Sequence, residues 1–95
     1  MTQKRWVQWG CSGVEVLSRA ICGGCQELKR RLQNAGIEYL DLDVATVDGR
    51  GGAAWYDEPE VLPAAAVDGR LLQNAGDVDA LMREIETYEK TTARR

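Results

Sequence analysis

VEVLSRAICGGCQELKRRLQNA, residues 14–35, decides how the rest of the chain is read. It begins as an apolar strand rich in valine, passes through a short turn carrying Cys22-Gly23-Gly24-Cys25, and continues with the spacing of an amphipathic helix. Two thiols therefore stand at a strand-to-helix junction. The first N–H groups of a helix have no partner within it, and the positive end of its macrodipole lies there, so a thiolate is favoured over a thiol. Such a setting lowers a cysteine pKa and makes the sulfur a nucleophile at neutral pH. Redox chemistry is the first reading.

Helical periodicity gives the two sulfurs different jobs. Cys25, Leu28, Leu32 and Ala35 follow at spacings of three, four and three, the inward stripe of a helix packed on a sheet. Cys25 should be covered. Cys22 lies one turn earlier, at or before the first helical residue, where its side chain can meet solvent. It is the better nucleophile and Cys25 the better resolving thiol. The charges fit the same helix, with Glu27 early, Lys29, Arg30 and Arg31 later, and Gly36 as a natural C′ residue.

Ninety-five residues make one domain. The hydrophobic share is 44%, that of an ordinary globular protein, and no apolar run approaches the ~18–20 residues of a membrane span. The opening MTQKRW has no apolar core of a signal peptide. A cytoplasmic protein with no membrane contact is expected, where C-x-x-C means metal or redox chemistry more often than a structural staple. Net charge is −3 with the cations spread along the chain, so nucleic acid is not an expected partner. Histidine is absent, which excludes Ser-His and Cys-His catalysis and a Cys₂His₂ zinc site. Cysteine is left as the only strong nucleophile.

Residues 1–13 read as an N-terminal extension before a domain spanning 14–90. Trp6, Val7 and Trp9 suit a short edge strand or a flap packed on the domain, and Cys11 reads as a bystander thiol. Strands over 14–18 and 37–44 flank the helix, and a connection of this length requires parallel strands and a right-handed crossover. Val14, Val16 and Leu17 suggest a strand covered on both faces, while IEYLDLDV alternates. In residues 45–60, Asp48-Gly49 and Gly51-Gly52 read as turns, and Ala53-Ala54-Trp55-Tyr56 as a short helix stopped by Pro59. VLPAAAVDGRLLQ reads as two small strands in a hairpin about Asp68-Gly69. Residues 77–89 close the domain as a helix with Val78, Leu81, Met82 and Ile85 inward, and 91–95 read as a frayed tail.

The order strand, helix, strand, helix, hairpin, helix resembles that of glutaredoxins. The likeness covers residues 14–88 and rests on VEVLS, Cys22-Gly23-Gly24-Cys25, LKRRLQNAGIEYLDLDV and Val61-Leu62-Pro63. It implies an α/β, thioredoxin/glutaredoxin-like fold, βαβαββα, with a four-stranded mixed sheet flanked by helices. It also implies that Pro63 is cis and faces the cysteines, and that Leu62 offers its backbone to a bound thiol substrate. Arg19 stands three residues before Cys22, where the family often has a lysine for a carboxylate, and Asp77 is placed to meet an amine at the start of the last helix. Each has a plainer reading, an exposed rim charge for Arg19 and a helix cap for Asp77.

Three motifs depart from the family pattern. Gly23-Gly24 replaces Pro-Tyr, Val61-Leu62-Pro63 replaces Thr-Val-Pro, and Asn74-Ala75-Gly76-Asp77 replaces Gly-Gly followed by Asp. The changes remove several groups that would hold glutathione.

The resemblance implies a dithiol oxidoreductase. Cys22 thiolate would attack a substrate disulfide and Cys25 would resolve the mixed disulfide, leaving a Cys22–Cys25 bridge. The expected partners are protein disulfides and a reductant, glutathione or a reductase protein, with no bound organic cofactor, no metal and a monomeric chain. Two rivals stand beside it. One is a metal or iron–sulfur carrier in which two chains each lend two cysteines. The other is a catalytically silent thioredoxin-fold module that binds a partner through the Leu62-Pro63 edge and the N-terminal tryptophans.

Overall fold

The computed structural model describes residues 13–93, and side chains as far as Lys90. Trp6, Trp9 and Cys11 lie outside the described residues. Strand β1 (Val14–Ser18) is buried along its whole length because it sits between two other strands. Helix α1 (Gly23–Asn34) carries the chain over to β2 (Tyr39–Asp43), which pairs parallel with β1 from Val14 opposite Tyr39 to Ser18 opposite Asp43. After α2 (Val47–Trp55) come β3 (Ala64–Val67), antiparallel to β1, and β4 (Arg70–Leu71), antiparallel to β3. With helix α3 (Val78–Ala93), the described residues form a sheet of order β2-β1-β3-β4 and three helices. This is the mixed four-stranded α/β architecture expected from the sequence.

Strand alternation divides the core in two. Val14 and Val16 face Leu28 and Leu32 of α1 and Leu81, Met82 and Ile85 of α3. Leu17 points the other way, among Leu42, Ala64, Ala66 and Tyr56. The alanines of β3 are fully buried.

The ends of α1 follow from single residues. Cys22 is the N-cap in extended conformation. At the other end Gly36, with φ +73°, turns the chain so that its N–H reaches the Gln33 carbonyl and that of Ile37 reaches Leu32, the double bond of a Schellman motif. The inward stripe therefore ends at Leu32. Ala35, expected within it, is the exposed C-cap, and Ile37 packs on the core from the turn instead of opening β2.

Helix α2 corrects the reading of residues 45–60. It runs from Val47 through both Asp48-Gly49 and Gly51-Gly52 and ends at Trp55, short of Pro59. Thr46 caps it, its hydroxyl accepting the Gly49 N–H at 3.0 Å. Gly49 is helical because α2 lies directly on the end of β2: a Cβ there would stand 1.6 Å from the Asp43 carbonyl oxygen. Beyond α2, Asp57 and Glu58 both adopt positive φ before Pro59.

The hairpin forms as expected at Asp68-Gly69, whose φ values of +50° and +81° are those of a type I′ turn. Val61 and Leu62 lie outside the strand that was expected to include them. Helix α3 starts at Val78 with Asp77 accepting the Ala80 N–H at 3.1 Å, and it continues to Ala93, through residues read as tail. Arg31 joins α1 to α3 by bonding Asp79 at 2.6 Å, while Glu27 bonds both Arg30 and Arg31. Hydrogen bonds from Arg30, then Arg31, hold the Glu27 carboxyl below its ordinary pKa. Those from Glu27, then Asp79, raise that of Arg31. No helix among the described residues is long and apolar enough to cross a membrane.

Candidate active site

Where β1 ends, Ser18 is buried, and its hydroxyl donates to Asp41 Oδ1 on β2 at 2.7 Å. The other Asp41 oxygen receives Lys29 Nζ at 3.0 Å, so one carboxylate in the middle of β2 ties the second turn of α1 to the end of β1. Arg19, Ala20 and Ile21 then leave the sheet into solvent. Cys22 follows as the N-cap, with its carbonyl accepting the Gln26 N–H and its Sγ accepting the Cys25 N–H at 3.1 Å. No acidic residue stands in the first turn of α1 to oppose a negative sulfur.

The two cysteines differ as periodicity implied. Cys25 is fully buried, and Cys22 is half-buried. Their Cα atoms are 5.2 Å apart and their sulfurs are joined, so the structure is that of the disulfide form. Opening that bond leaves Cys22 Sγ beside a backbone donor at the positive end of a helix, a setting that stabilises the thiolate.

The Leu62-Pro63 peptide is cis, a feature that the local sequence gave no reason to expect and the family likeness did. Pro63 is buried against the cysteine turn: a Cβ on Gly24 would lie 3.1 Å from Pro63 Cδ and 3.7 Å from Val78 Cγ2. The Pro63 carbonyl accepts the Gly76 N–H at 2.8 Å, which fastens the start of α3 to the same place. The cysteines, Pro63 and the Gly76-Asp77 turn thus meet at one end of the sheet. Leu62 is half-buried and packs on the α2-side core. Arg19 is exposed, and no hydrogen bond or ion pair engages it among the described residues. Asp77 is exposed and serves as the α3 cap.

Sequence reasoning missed two polar features. The Ser18–Asp41–Lys29 network was signalled weakly: alternation along β2 puts Asp41 on the face that receives α1, and Lys29 lies one turn after Cys25. Buried Glu15 on β1 was not signalled at all. Tyr56 donates its hydroxyl to Glu15 Oε1, while Oε2 has no hydrogen-bond partner among the described residues. Glu15 shares the sheet face of Leu17, away from the one that α1 and Cys25 cover. It therefore stands apart from the dithiol. Among the described residues no group of three or more His, Cys, Asp or Glu side chains is arranged to hold a metal ion.

No protein-family model and no curated protein matches this sequence. Solved structures do. The thioredoxin-like protein BC3987 superposes with a TM-score of 0.61 at 20% identity, covering 74% of this chain and 96% of that one. The holo form of glutaredoxin C1 from Populus tremula x tremuloides gives 0.59 at 21%, covering 85% and 81%. Fasciola hepatica thioredoxin gives 0.55 at 17%, covering 82% and 83%. At these identities the likeness is one of fold. With four strands, three helices and a cysteine pair bridged across the first turn of α1 among the described residues, the chain has a thioredoxin/glutaredoxin-like α/β fold.

Proposed function

We propose that the protein is a glutaredoxin-like thiol–disulfide oxidoreductase acting through Cys22 and Cys25. The observation that carries this is the Cys22–Cys25 bridge itself, closed across a helix N-cap with one sulfur buried and the other reachable. In the reduced protein, Cys22 thiolate attacks one sulfur of a substrate disulfide. That bond breaks, and the far sulfur leaves as a thiolate. Cys25, deprotonated, then attacks Cys22 Sγ and expels the near sulfur. The substrate gains two electrons and takes two protons from water, and the protein is left as the disulfide seen here.

Leu62 presents its backbone to the substrate beside cis-Pro63, which Gly24 approaches closely. In this reading Arg19 meets a carboxylate of the substrate and Asp77 an amine. Glutathione or a reductase protein returns the disulfide to the dithiol. A protein disulfide is the more natural substrate, because Gly23-Gly24 offers no side chain to a small ligand and an extended segment can pair along the chain at Leu62. This chemistry needs no bound organic cofactor and no metal, and it belongs in a thiol-rich compartment such as the cytoplasm.

Turnover of a protein disulfide, assayed with glutathione and its reductase beside thioredoxin reductase, tests the reading. Activity with either, lost in Cys22→Ser, is expected. Inertness with both, together with a Cys22 thiol no more reactive than free cysteine, would refute it. Cluster absorption in protein purified without oxygen would redirect the assignment to a metal or iron–sulfur carrier.

A further inference from the structure

We propose that Asp41 is a positioning residue for the dithiol: its carboxylate clamps both ends of the segment that carries Cys22 and Cys25, and so sets how strongly that pair closes. The inference rests on the oxidoreductase reading and adds to it a residue outside the cysteine turn.

The segment between Ser18 and Lys29 contains both cysteines and is weakly held where it leaves the sheet. Arg19, Ala20 and Ile21 are exposed. Among the described residues, the side-chain hydrogen bond that reaches them is a long one, from Gln26 Nε2 to the Ala20 carbonyl at 3.4 Å. On either side of this segment the chain is anchored to the same group. Ser18, the last residue of β1 and 1% exposed, donates its hydroxyl to Asp41 Oδ1 at 2.7 Å. Lys29 lies one turn beyond Cys25 on the same face of α1, and its ammonium meets Asp41 Oδ2 at 3.0 Å. A helical side chain leans back over the turn before it, so Lys29 reaches Asp41 from beside the turn that begins at Cys25.

An exposed lysine–aspartate pair contributes little, because water screens it and two long side chains must be ordered. This pair differs in three respects. The lysine side chain is only 17% exposed. A second, buried donor orients the carboxylate. Asp41 also stands in the middle of β2, opposite Val16, where the strand pairing keeps it from following α1 if the helix shifts. Ser18 is fixed in turn by its pairing with β2 and by its carbonyl, which accepts the Val44 N–H at 2.8 Å.

The clamp and the disulfide are therefore coupled. Closing the bridge joins two sulfurs that must first be brought together, and a segment fixed at both ends holds them close at less entropic cost. By reciprocity, closing the bridge orders the turn that the clamp spans and strengthens the clamp. Asp41 thus favours the disulfide over the dithiol. In that oxidation the two thiols give two electrons to the oxidant and two protons to solvent as the S–S bond forms, and Asp41 takes neither.

The test equilibrates full-length protein in buffers of reduced and oxidised glutathione and maps alkylated Cys22 and Cys25 by mass spectrometry. Asp41→Ala should lower the equilibrium constant for closure by about fivefold, a part of what two hydrogen bonds to a partly exposed charge contribute. Lys29→Met and Ser18→Ala, which each remove one arm, should each give a smaller fall. Asp41→Ala combined with Lys29→Met should fall no further than Asp41→Ala alone. Lys29→Met keeps the aliphatic stem and leaves Ser18 and Asp41 in place, so it decides the matter if Asp41→Ala does not fold. A merely structural role would lower the unfolding midpoints of oxidised and reduced protein alike and leave the constant unmoved. That result overturns the clamp, as does a fall in Asp41→Ala that neither single-arm variant shares. A wild-type Cys22–Cys25 pair that does not open and close reversibly in these buffers would strike the oxidoreductase reading, and the clamp with it.

Discussion

Gly49→Ala should be among the most damaging methyl additions this chain can take. The added Cβ would stand 1.6 Å from the Asp43 carbonyl oxygen, 2.2 Å from its carbon and 2.8 Å from Val44 N. Ordinary contact begins at 3.4 Å, so about 1.8 Å must open, a third of the ~5.4 Å pitch of a helix. No side chain can rotate away, because the obstructing atoms are backbone. That backbone is also engaged: the Asp43 carbonyl accepts from Thr46 N and Thr46 Oγ1, and Val44 N donates to Ser18. Moving α2 also strains the Thr46 cap, worth about 1 kcal/mol, on top of the ~1–3 kcal/mol of ordinary overpacking. The helical preference for alanine returns only about 1 kcal/mol. A net loss of about 1–3 kcal/mol is expected, lowering Tm by roughly 5–20 °C. Urea unfolding of the oxidised protein, followed by far-ultraviolet circular dichroism, measures it. Gly23→Ala is the matched control, since nothing lies within 4 Å of that added methyl. A Gly49→Ala variant as stable as this control would refute the account of how α2 is seated.

Three further outcomes are expected. Iodoacetamide should modify Cys22 well before Cys25 in the reduced protein, and mass mapping that found Cys25 first would reverse their roles. Tyr56→Phe should destabilise by about 1–3 kcal/mol by removing the hydroxyl donor of buried Glu15, and adding Glu15→Leu should recover much of that loss; a double variant no better than the single would refute the explanation. The depressed pKa of Glu27 means that its contribution is present above the ordinary carboxyl value of 4.5 and is lost as pH falls through the folded value. Glu27→Gln should therefore flatten the acid limb of a plot of urea midpoint against pH, and an unchanged limb would show that the Arg30 and Arg31 pairs do not act in solution.

The legible parts of the fold are those where one residue type has one meaning. VEVLS could only be a covered strand between a turn and an amphipathic helix, and the buried stripe of Cys25, Leu28 and Leu32 follows from spacing alone. Asp68-Gly69 named its turn because few other pairs tolerate two positive φ values. Glycine in α2 was illegible for the opposite reason. Its lack of a Cβ permits a turn or permits close packing, and only the position of the Asp43 carbonyl decides which. The end of α3 was misjudged because no glycine or proline stands between Glu89 and Ala93 to stop it. Glu15 was invisible because a lone acid in an apolar strand does not announce the tyrosine, 41 residues away, that meets it.

The same double meaning of glycine reaches into the dithiol turn. Read as sequence, Gly23-Gly24 is one loosened spacer, but the two positions are not alike. Gly23 faces open space, so a side chain there changes what a substrate meets and little else. Gly24 lies against Pro63, 3.1 Å from its Cδ at the Cβ position, so a side chain there presses on the cis-proline and hence on the Leu62 edge beside it. Gly76 completes the pattern by receiving Val61 from below and bonding the Pro63 carbonyl from above. Absent side chains at 24 and 76 therefore let the cysteine turn, the cis-proline and the start of α3 close on one another. Exposed Ile21 and Val61 and half-buried Cys22 border that closure. A turn that looks unspecific in sequence is, at one of its two glycines, a packing constraint on the cis-proline.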